Sequence, residues 1–274
     1  MRFERIHFMP GEEGVYYDAY VADPTPGFVR PALLVIPGGG YGGVCSDREG
    51  EPIALAFLAR GFNAFVLHYT VGRKKVFPAQ LIEASLAAAH IRHGAGEYGI
   101  DPGQLFAVGF SAGGHLAGSL GILWDHPAAA GALAEAGATP GENRPDGIML
   151  VYPVVTGIGE IANSGTIRNL WAMDNPTEEQ CRAVSLELHV TGESSPAFLV
   201  HTSNDGMVDV RNSLVLAEAY RCAGVLFEMH IYPDAPHGVA LGNEITAFGR
   251  AEWNDPAIAG WVGHAAEWAK RVKK

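Results

Sequence analysis

The feature that most constrains this chain is the pentapeptide G-F-S-A-G at residues 109–113. An apolar run, Leu105–Val108, precedes it, and a segment of small residues with helical character, Gly114–Leu120, follows it. A serine in G-x-S-x-G between a strand and a helix is typical of a nucleophile elbow, a sharp turn that projects the hydroxyl from a sheet. Glycines flank the serine because a side chain there would collide with the strand or the helix. The pentapeptide therefore predicts a strand–turn–helix unit and makes Ser111 a candidate nucleophile.

A serine nucleophile needs a base that takes its proton and an acid that holds the base in one tautomer. On an α/β-hydrolase sheet these residues follow the serine in the order acid, then histidine. Asp205 lies just past the strand candidate Pro196–His201, and His237 lies in the loop after the strand candidate Val225–Tyr232. The order and the positions past strand ends predict Asp205 as the acid and His237 as the base.

Both assignments have competitors within the chain. Asp205 also fits a plain turn, since Asn-Asp-Gly is strong turn chemistry. Asp209 is the rival acid, whereas Asp234 fits a loop cap better. Among the other histidines, His201 and His115 are expected to pack or to hydrogen-bond locally.

A glycine-rich loop follows the strand candidate Ala32–Ile36. The sequence P-G-G-G-Y-G-G begins there at Pro37 and resembles the H-G-G-G motif of esterases, with proline in place of histidine. Glycines let the backbone approach a ligand closely. By that match, the N–H groups of Gly39, Gly40 and Ala112 form an oxyanion hole.

The same loop also fits a dinucleotide fingerprint. Gly38, Gly40 and Gly43 stand in the pattern G-x-G-x-x-G after a strand. That fingerprint needs an acidic residue at the end of the next strand, and the candidate Phe62–Thr70 offers none. Residues 45–52 also separate the glycines from the next helix candidate. The nucleotide interpretation is therefore disfavoured, and no cofactor is expected.

Composition excludes several other classes of protein. The 274 residues carry a net charge of −11, which argues against binding to nucleic acid or to anionic membranes. No apolar run reaches transmembrane length, and the N-terminus lacks the apolar core of a signal peptide. Three widely spaced cysteines, Cys45, Cys181 and Cys222, indicate free thiols in the cytoplasm. His90 and His93 lack an evident third ligand, so no metal site is expected.

The order of strand and helix candidates predicts an α/β fold. Phe3–Phe8 and Val15–Val21 fit an antiparallel hairpin at the edge of a sheet. From residue 31 onward strands alternate with helices, which predicts a mostly parallel sheet with helices on both faces. The first two helices are expected at Pro52–Arg60 and Pro78–His93, and the last at Pro256–Lys273.

The whole chain, residues 1–274, fits a single domain. Two stretches, residues 124–144 and 156–195, depart from the regular alternation. The second is expected to form a small lid-like insertion over the catalytic edge, where it would contribute to the acyl or alcohol pocket. The alternative is a surface excursion that packs a small cluster of its own.

Four segments together resemble bacterial α/β-hydrolase esterases. They are the loop at residues 37–41, the E-G-E-P-I-A segment at residues 49–54, the elbow at residues 109–117 and P-H-G at residues 236–238. The nearest group is the acetyl-xylan-esterase-like carboxylesterases, related to the hormone-sensitive-lipase and feruloyl-esterase groups. The resemblance covers nearly the whole chain. The proline in the H-G-G-G position is usual in this group.

The resemblance implies a serine carboxylesterase that needs no cofactor. The expected partner is a small ester of a short acyl chain, such as an acetylated xylo-oligosaccharide imported into the cytoplasm. An amide hydrolase, either a peptidase or an arylformamidase, is the alternative among enzymes. A binding protein that has lost catalysis is the alternative outside enzymes. The oligomeric state stays open, with a homo-oligomer among the alternatives.

Overall fold

The computed structural model describes residues 1–272, and one sheet of eight strands lies at its centre. The strands are β1 (Arg2–Ile6), β2 (Tyr16–Val21), β3 (Arg30–Ile36), β4 (Asn63–His68), β5 (Ile100–Phe110), β6 (Gly147–Val151), β7 (Ala197–Thr202) and β8 (Phe227–Tyr232). Their order in the sheet is β1-β2-β4-β3-β5-β6-β7-β8.

The predicted N-terminal hairpin is confirmed. Strand β2 pairs antiparallel with both β1 and β4, whereas all pairings among β3 to β8 are parallel. Strand β1 ends at Ile6 rather than at Phe8, since the chain turns just beyond, where Glu12 N–H bonds to Met9 C=O. The ring of Phe8 instead stacks on Tyr17.

Helices fill the connections between the parallel strands. The longer ones are α2 (Glu51–Leu58), α3 (Ala79–His93), α5 (Ala112–Ile122), α6 (Pro127–Glu135), α7 (Ser164–Leu170), α8 (Glu178–Ala183), α9 (Arg211–Ala223) and α12 (Trp261–Arg271). Single-turn helices are α1 (Ser46–Glu49), α4 (Ala95–Tyr98), α10 (Glu244–Ala247) and α11 (Pro256–Ala259). Short 3₁₀ turns occur at Leu186–Leu188 and Ala251–Trp253.

The last predicted helix is two helices in the structure. Helix α11 ends before Gly260 and α12 begins directly after it. Glycine is a poor residue for a helix interior, which accounts for a break at this position. The predicted end of the helix, Lys273, lies outside the described residues.

Both faces of the sheet are buried, as expected for parallel strands. Side chains alternate along β3: Ala32, Leu34 and Ile36 enter one apolar cluster, and Leu33 and Val35 enter the other. Helices α3, α5 and α9 cover the first face, and α2 and α12 cover the second. Among residues 1–272, none of the helices has the length and apolar character needed to cross a bilayer.

The topology brings four loops to one edge. Strands β3, β5, β7 and β8 run in the same direction, so their carboxyl ends meet there. In open α/β sheets this edge is where ligands bind. The loops after these strands contain the glycine run, Ser111, Asp205 and His237.

Candidate active site

Ser111 sits in a strained turn between β5 and α5. Its backbone has φ 54° and ψ −118°, a left-handed conformation that side-chain-bearing residues rarely adopt. A Cβ on Gly109 would lie 2.1 Å from the carbonyl oxygen of Gly113, and a Cβ on Gly113 would lie 2.2 Å from that of Ile36. The turn therefore requires both glycines of the motif.

The structure brings the three predicted residues into one hydrogen-bonded chain. Ser111 Oγ lies 2.9 Å from His237 Nε2, and His237 Nδ1 lies 2.6 Å from Asp205 Oδ2. A carboxylate only accepts hydrogen bonds, so the imidazole carries its proton on Nδ1 and leaves Nε2 free to accept from the serine hydroxyl. The imidazole can thus take the proton of the serine.

The carboxylate of Asp205 is buried and held on both oxygens. Its Oδ1 accepts from the N–H groups of Met207 at 2.8 Å and Val208 at 2.9 Å. Its Oδ2 faces His237 and also lies 3.4 Å from His201 Nε2. Burial raises the pKa of Asp205, but the hydrogen bonds from the two histidines and the backbone outweigh it, so the net pKa is below its usual range. A charged carboxylate is the form that orients an imidazole.

The competitors lie in other surroundings. Asp209 is hydrogen-bonded by the side chain of Arg211 at the surface. Asp234 accepts from the amide of Asn204.

His201 and His115 bond locally. Both are fully buried. His201 Nδ1 lies 2.7 Å from Ser213 Oγ, and its Nε2 donates to Val208 C=O at 3.0 Å. His115 Nδ1 lies 2.9 Å from Tyr41 Oη.

The glycine run forms a tight loop directly against the elbow. Gly39 and Gly40 have φ values of 126° and 62°, which favour glycine. A Cβ on Gly39 would lie 2.3 Å from Gly43 O, and one on Gly38 would lie 2.6 Å from Phe110 O. The loop can approach the serine this closely because it carries no side chains there.

The carbonyl groups of Gly39 and Gly40 are hydrogen-bonded within the protein. Gly39 C=O accepts from Gly42 N–H at 3.0 Å, and Gly40 C=O accepts from Asn169 Nδ2 at 2.8 Å. Within residues 1–272 the N–H groups of Gly39 and Gly40 donate no hydrogen bond. Ala112 opens α5, so its N–H has no acceptor within the helix. Three backbone N–H groups near the serine are therefore free to donate hydrogen bonds to an oxygen atom.

A pocket of about 420 Å³ opens over Ser111 and His237. Most of the residues that line it are glycines or carry polar side chains. One wall comes from α7 and its N-cap, and the other from α1, with side chains or backbone of Asn163, Gly165, Thr166, Asn169, Arg48 and Glu49.

The 156–195 stretch packs onto the rest of the domain. Asn163 caps α7 by accepting from Thr166 N–H at 3.1 Å and donates to Met207 C=O at 3.1 Å. The ring of Trp171 packs edge-on against Phe77, with centroids 5.6 Å apart. The stretch is therefore joined both to the acid loop and to the main core.

Two polar residues at the site were not assigned from the sequence. The carboxylate of Glu49 lies against the glycine loop, and the hydroxyl of Tyr152 bonds to it at 2.9 Å. Glu49 belongs to the E-G-E-P-I-A segment that carries the resemblance, but nothing in the pattern separates it from Glu51. Its buried position becomes visible only in three dimensions.

Cys45, Cys181 and Cys222 are free thiols. Burial raises the pKa of the Cys45 thiol, which keeps it neutral beside the glycine loop. In the part of the chain that the structure describes, no three His, Cys, Asp or Glu side chains are grouped as metal ligands.

Known proteins are similar to this chain in both sequence and fold. The BD-FAE family model matches residues 18–220. A protein of Butyrivibrio fibrisolvens named endo-1,4-beta-xylanase B is 36% identical over 242 residues, which is 85% of this chain and 34% of that protein. The chain spans between 34% and 52% of the length of the first three curated relatives that it matches.

Solved structures cover almost the whole chain. An acetyl ester-xyloside bifunctional hydrolase from Caldicellulosiruptor lactoaceticus is 29% identical, with a TM-score of 0.80 over 97% of this chain and 95% of that one. MGS-M1, an alpha/beta hydrolase enzyme from a Medee basin deep-sea metagenome library, is 32% identical. Its TM-score is 0.79, over 99% of this chain and 98% of that one.

Proposed function

The chain belongs to the BD-FAE family of α/β-hydrolase esterases, and from this premise we propose that it is a serine carboxylesterase acting on short-chain acyl esters. The observation that carries the proposal is the chain of hydrogen bonds from Ser111 through His237 to Asp205, at 2.9 and 2.6 Å. Free backbone N–H groups on both sides of the serine support it.

In the proposed acylation step, His237 Nε2 takes the hydroxyl proton while Ser111 Oγ attacks the ester carbonyl carbon. The N–H groups of Gly39, Gly40 and Ala112 bind the oxyanion of the tetrahedral intermediate. One such donor is worth about 3–4 kcal/mol of transition-state stabilisation. The imidazolium then protonates the leaving alcohol as the C–O bond breaks, which leaves an acyl-serine.

Deacylation repeats the steps with water as nucleophile. The imidazole takes a proton from water, the hydroxide attacks the acyl carbon, and the serine oxygen leaves with the proton. Asp205 keeps the imidazole in the required tautomer and stabilises its charged form. The chemistry proposed here draws on the chain's own residues and a water molecule.

We further propose that the substrates are acetyl esters of xylo-oligosaccharides or related sugars, met in the cytoplasm. The names of the relatives point to xylan and to acetyl esters. The pocket agrees with this class, since Asn163, Thr166 and Asn169 are among its lining residues. Polar side chains of this kind suit the hydroxyls of a sugar. On this proposal the 156–195 stretch acts as a small lid-like wall that selects the alcohol or the acyl group.

A fluorescent organophosphonate tests the central claim, because it reacts with activated serines. We expect the wild-type protein to be labelled stoichiometrically and Ser111→Ala not to be labelled. Ser111→Ala should also lose at least about 10⁴ in kcat on p-nitrophenyl acetate while its circular dichroism stays unchanged. Retention of a tenth of wild-type activity by this variant would refute the assignment.

Acetate release from acetylated xylo-oligosaccharides, measured beside hydrolysis of matched amides and formanilides, tests the substrate class. Preference for the amides would favour an amide hydrolase. Absence of both labelling and hydrolysis would favour a binding protein.

A further inference from the structure

A buried carboxylate lies beside the site without a part in the mechanism above. Glu49 ends α1, and only 2% of the residue is exposed. Its Oε2 accepts from Gly38 N–H at 2.8 Å, and its Oε1 accepts from Tyr152 Oη–H at 2.9 Å. Burial of a charged group is costly unless it is hydrogen-bonded and paired. The two donors offset part of the free-energy cost of burying the carboxylate. Their positions show which segments the carboxylate connects.

The hydrogen bonds continue to the loop that carries the histidine. Tyr152 Oη accepts from Ala240 N–H at 3.0 Å. The tyrosine ring also lies edge-on against the imidazole of His237, with centroids 4.8 Å apart. At the other end of this series of hydrogen bonds, Gly38 directly precedes Gly39 and Gly40, the proposed oxyanion donors.

These hydrogen bonds, from Gly38 through Glu49 and Tyr152 to Ala240, form a bridge between two loops. No strand pairing connects the two loops directly. The glycine loop follows β3 and the histidine loop follows β8, and β5, β6 and β7 lie between them in the sheet. Tyr152 stands at the end of β6, between the two loops, with a left-handed φ of 39°. A continuous set of buried hydrogen bonds therefore spans the site behind the serine.

Glu49 is arranged as an anion. The N–H donor can only donate, and the tyrosine hydroxyl, already accepting from Ala240, has its proton available for the carboxylate. Arg48 Nη2 lies 3.7 Å from Oε1. Burial raises the pKa of Glu49 above its usual value, and Arg48, the two hydrogen bonds and the attraction to His237 offset only part of that rise.

We propose that Glu49 is a positioning residue for the ester hydrolysis proposed above. Its carboxylate holds the oxyanion loop and the histidine loop at a fixed spacing across the serine. Its negative charge also favours the imidazolium that forms when His237 takes the serine proton. The inference rests on the proposed function, since the loops it aligns are those that carry the proposed oxyanion donors and base.

Few charges face Glu49 from the surrounding elements. The titratable groups near it are Arg48, His237, Tyr152, Tyr69 and Cys45. Burial raises the pKa of Tyr69, Tyr152 and Cys45, so these stay neutral near neutral pH. The charge of Glu49 is thus felt chiefly by Arg48 and His237.

Glu49→Gln tests the charge with little change in shape. Its amide oxygen can still accept from the Gly38 N–H, but the negative charge is gone. We expect kcat on p-nitrophenyl acetate to fall by about 10- to 100-fold with KM within about threefold of wild type. Because an anion beside the imidazole has been removed, the midpoint of the acidic limb of kcat/KM should move to lower pH by about half a unit or more.

Tyr152→Phe removes the hydroxyl that links the two loops and leaves the charge of Glu49 in place. We expect kcat to fall by about tenfold, and the double variant with Glu49→Gln to lose less than the product of the two single losses. Such non-additivity is the sign of residues acting in one network. Glu51→Gln is the matched control, since that exposed glutamate also accepts from a tyrosine hydroxyl, that of Tyr20 at 3.0 Å. It should match wild type.

The outcomes separate this inference from the proposed function. If wild type neither hydrolyses esters nor reacts with the organophosphonate, the proposed function fails. If wild type is active but Glu49→Gln equals Glu51→Gln in kcat and pH profile, the role of Glu49 is overturned. If Glu49→Gln loses its fold by circular dichroism, Tyr152→Phe decides: an unchanged kcat and pH profile there also overturns the proposal.

Discussion

Asp205 and Asp209 are four residues apart, yet their carboxylates have opposite surroundings. Asp205 is 8% exposed and bonds to His237 and to two backbone N–H groups. Asp209 lies at the surface, where the guanidinium of Arg211 occupies both of its oxygens. The sequence predicts Asp205 as the acid and keeps Asp209 as its rival, because both follow the same strand in the same loop.

Substitution of each aspartate by asparagine discriminates between them. In Asp205→Asn the amide NH₂ can face His237 Nδ1 and favour the tautomer that is protonated on Nε2, which cannot accept the serine proton. We expect kcat on p-nitrophenyl acetate to fall by roughly 10³–10⁴. Asp209→Asn should stay within about tenfold of wild type. Reversed results would make Asp209 the acid, and two small effects would refute the order argument.

Residues near in sequence were easier to predict than residues joined only by folding. The elbow glycines follow from the collision that a Cβ would cause, and chain order with strand ends proposes Asp205 and His237. The contact of Glu49 with Tyr152 joins positions 103 residues apart. Neither this contact nor the left-handed backbone of Tyr152 is indicated by a local pattern in the sequence.

At the scale of elements, helix α5 connects the elbow to the oxyanion loop and to the 156–195 stretch. His115, the fourth residue of this helix, accepts a hydrogen bond on Nδ1 from the Tyr41 hydroxyl of the oxyanion loop, and its Nε2 donates to Val184 C=O at 2.8 Å. Val184 belongs to the 156–195 stretch. One buried imidazole thus ties three segments together.

This imidazole predicts an acid-dependent stability. Burial lowers the pKa of His115 from 6.5 to about 4, against the opposing effect of its bond to Val184. Below about pH 6.5 the unfolded chain therefore takes up a proton that the folded chain does not, so stability is lost as the pH falls. Between about pH 7.5 and pH 5 the loss from this group should be about 2 kcal/mol.

Urea unfolding of wild type and His115→Gln at these two pH values measures the effect. Glutamine can accept and donate in the same two places but does not titrate, and the contributions of other groups cancel in the difference. We expect the variant to gain about 2 kcal/mol relative to wild type at the lower pH. An equal difference in free energy of unfolding at both pH values would contradict a buried neutral His115.

Elements with strong periodicity were predictable, and irregular ones were not. The alternation of strands and helices, the edge hairpin and the burial of both faces are confirmed by the structure. The break at Gly260 was missed because the apolar pattern continues through it. The packing of the 156–195 stretch depends on long-range bonds such as Asn169 to Gly40, so its course could not be read from local propensity.

At the scale of the whole molecule, one topology accounts for the position of every candidate group. Parallel strands deliver four loops to one edge, and the α7 wall narrows that edge into a pocket of about 420 Å³. Of its described lining residues, Met207 is the one large apolar side chain, and it is 66% exposed. The net charge of −11 adds no attraction for anionic surfaces.

This lining predicts a preference for short acyl chains. Burial of one methylene group in a matched apolar site is worth about 0.8 kcal/mol, but a lining with one large apolar side chain, Met207, offers a long chain little such burial. A longer chain would also displace water from those polar groups without replacing their hydrogen bonds. We therefore expect kcat/KM for p-nitrophenyl acetate to exceed that for p-nitrophenyl decanoate by at least about tenfold.

A series from acetate through propionate, butyrate and octanoate to decanoate, measured below the aggregation limit of each ester, gives the size of the acyl site. Because all members share one leaving group, differences in kcat/KM report acyl recognition alone. A steep fall after propionate or butyrate would place the acyl group against the polar wall of α7. A decanoate value above that of acetate would require an apolar channel that these lining residues do not provide, and the sugar-ester proposal would then be abandoned.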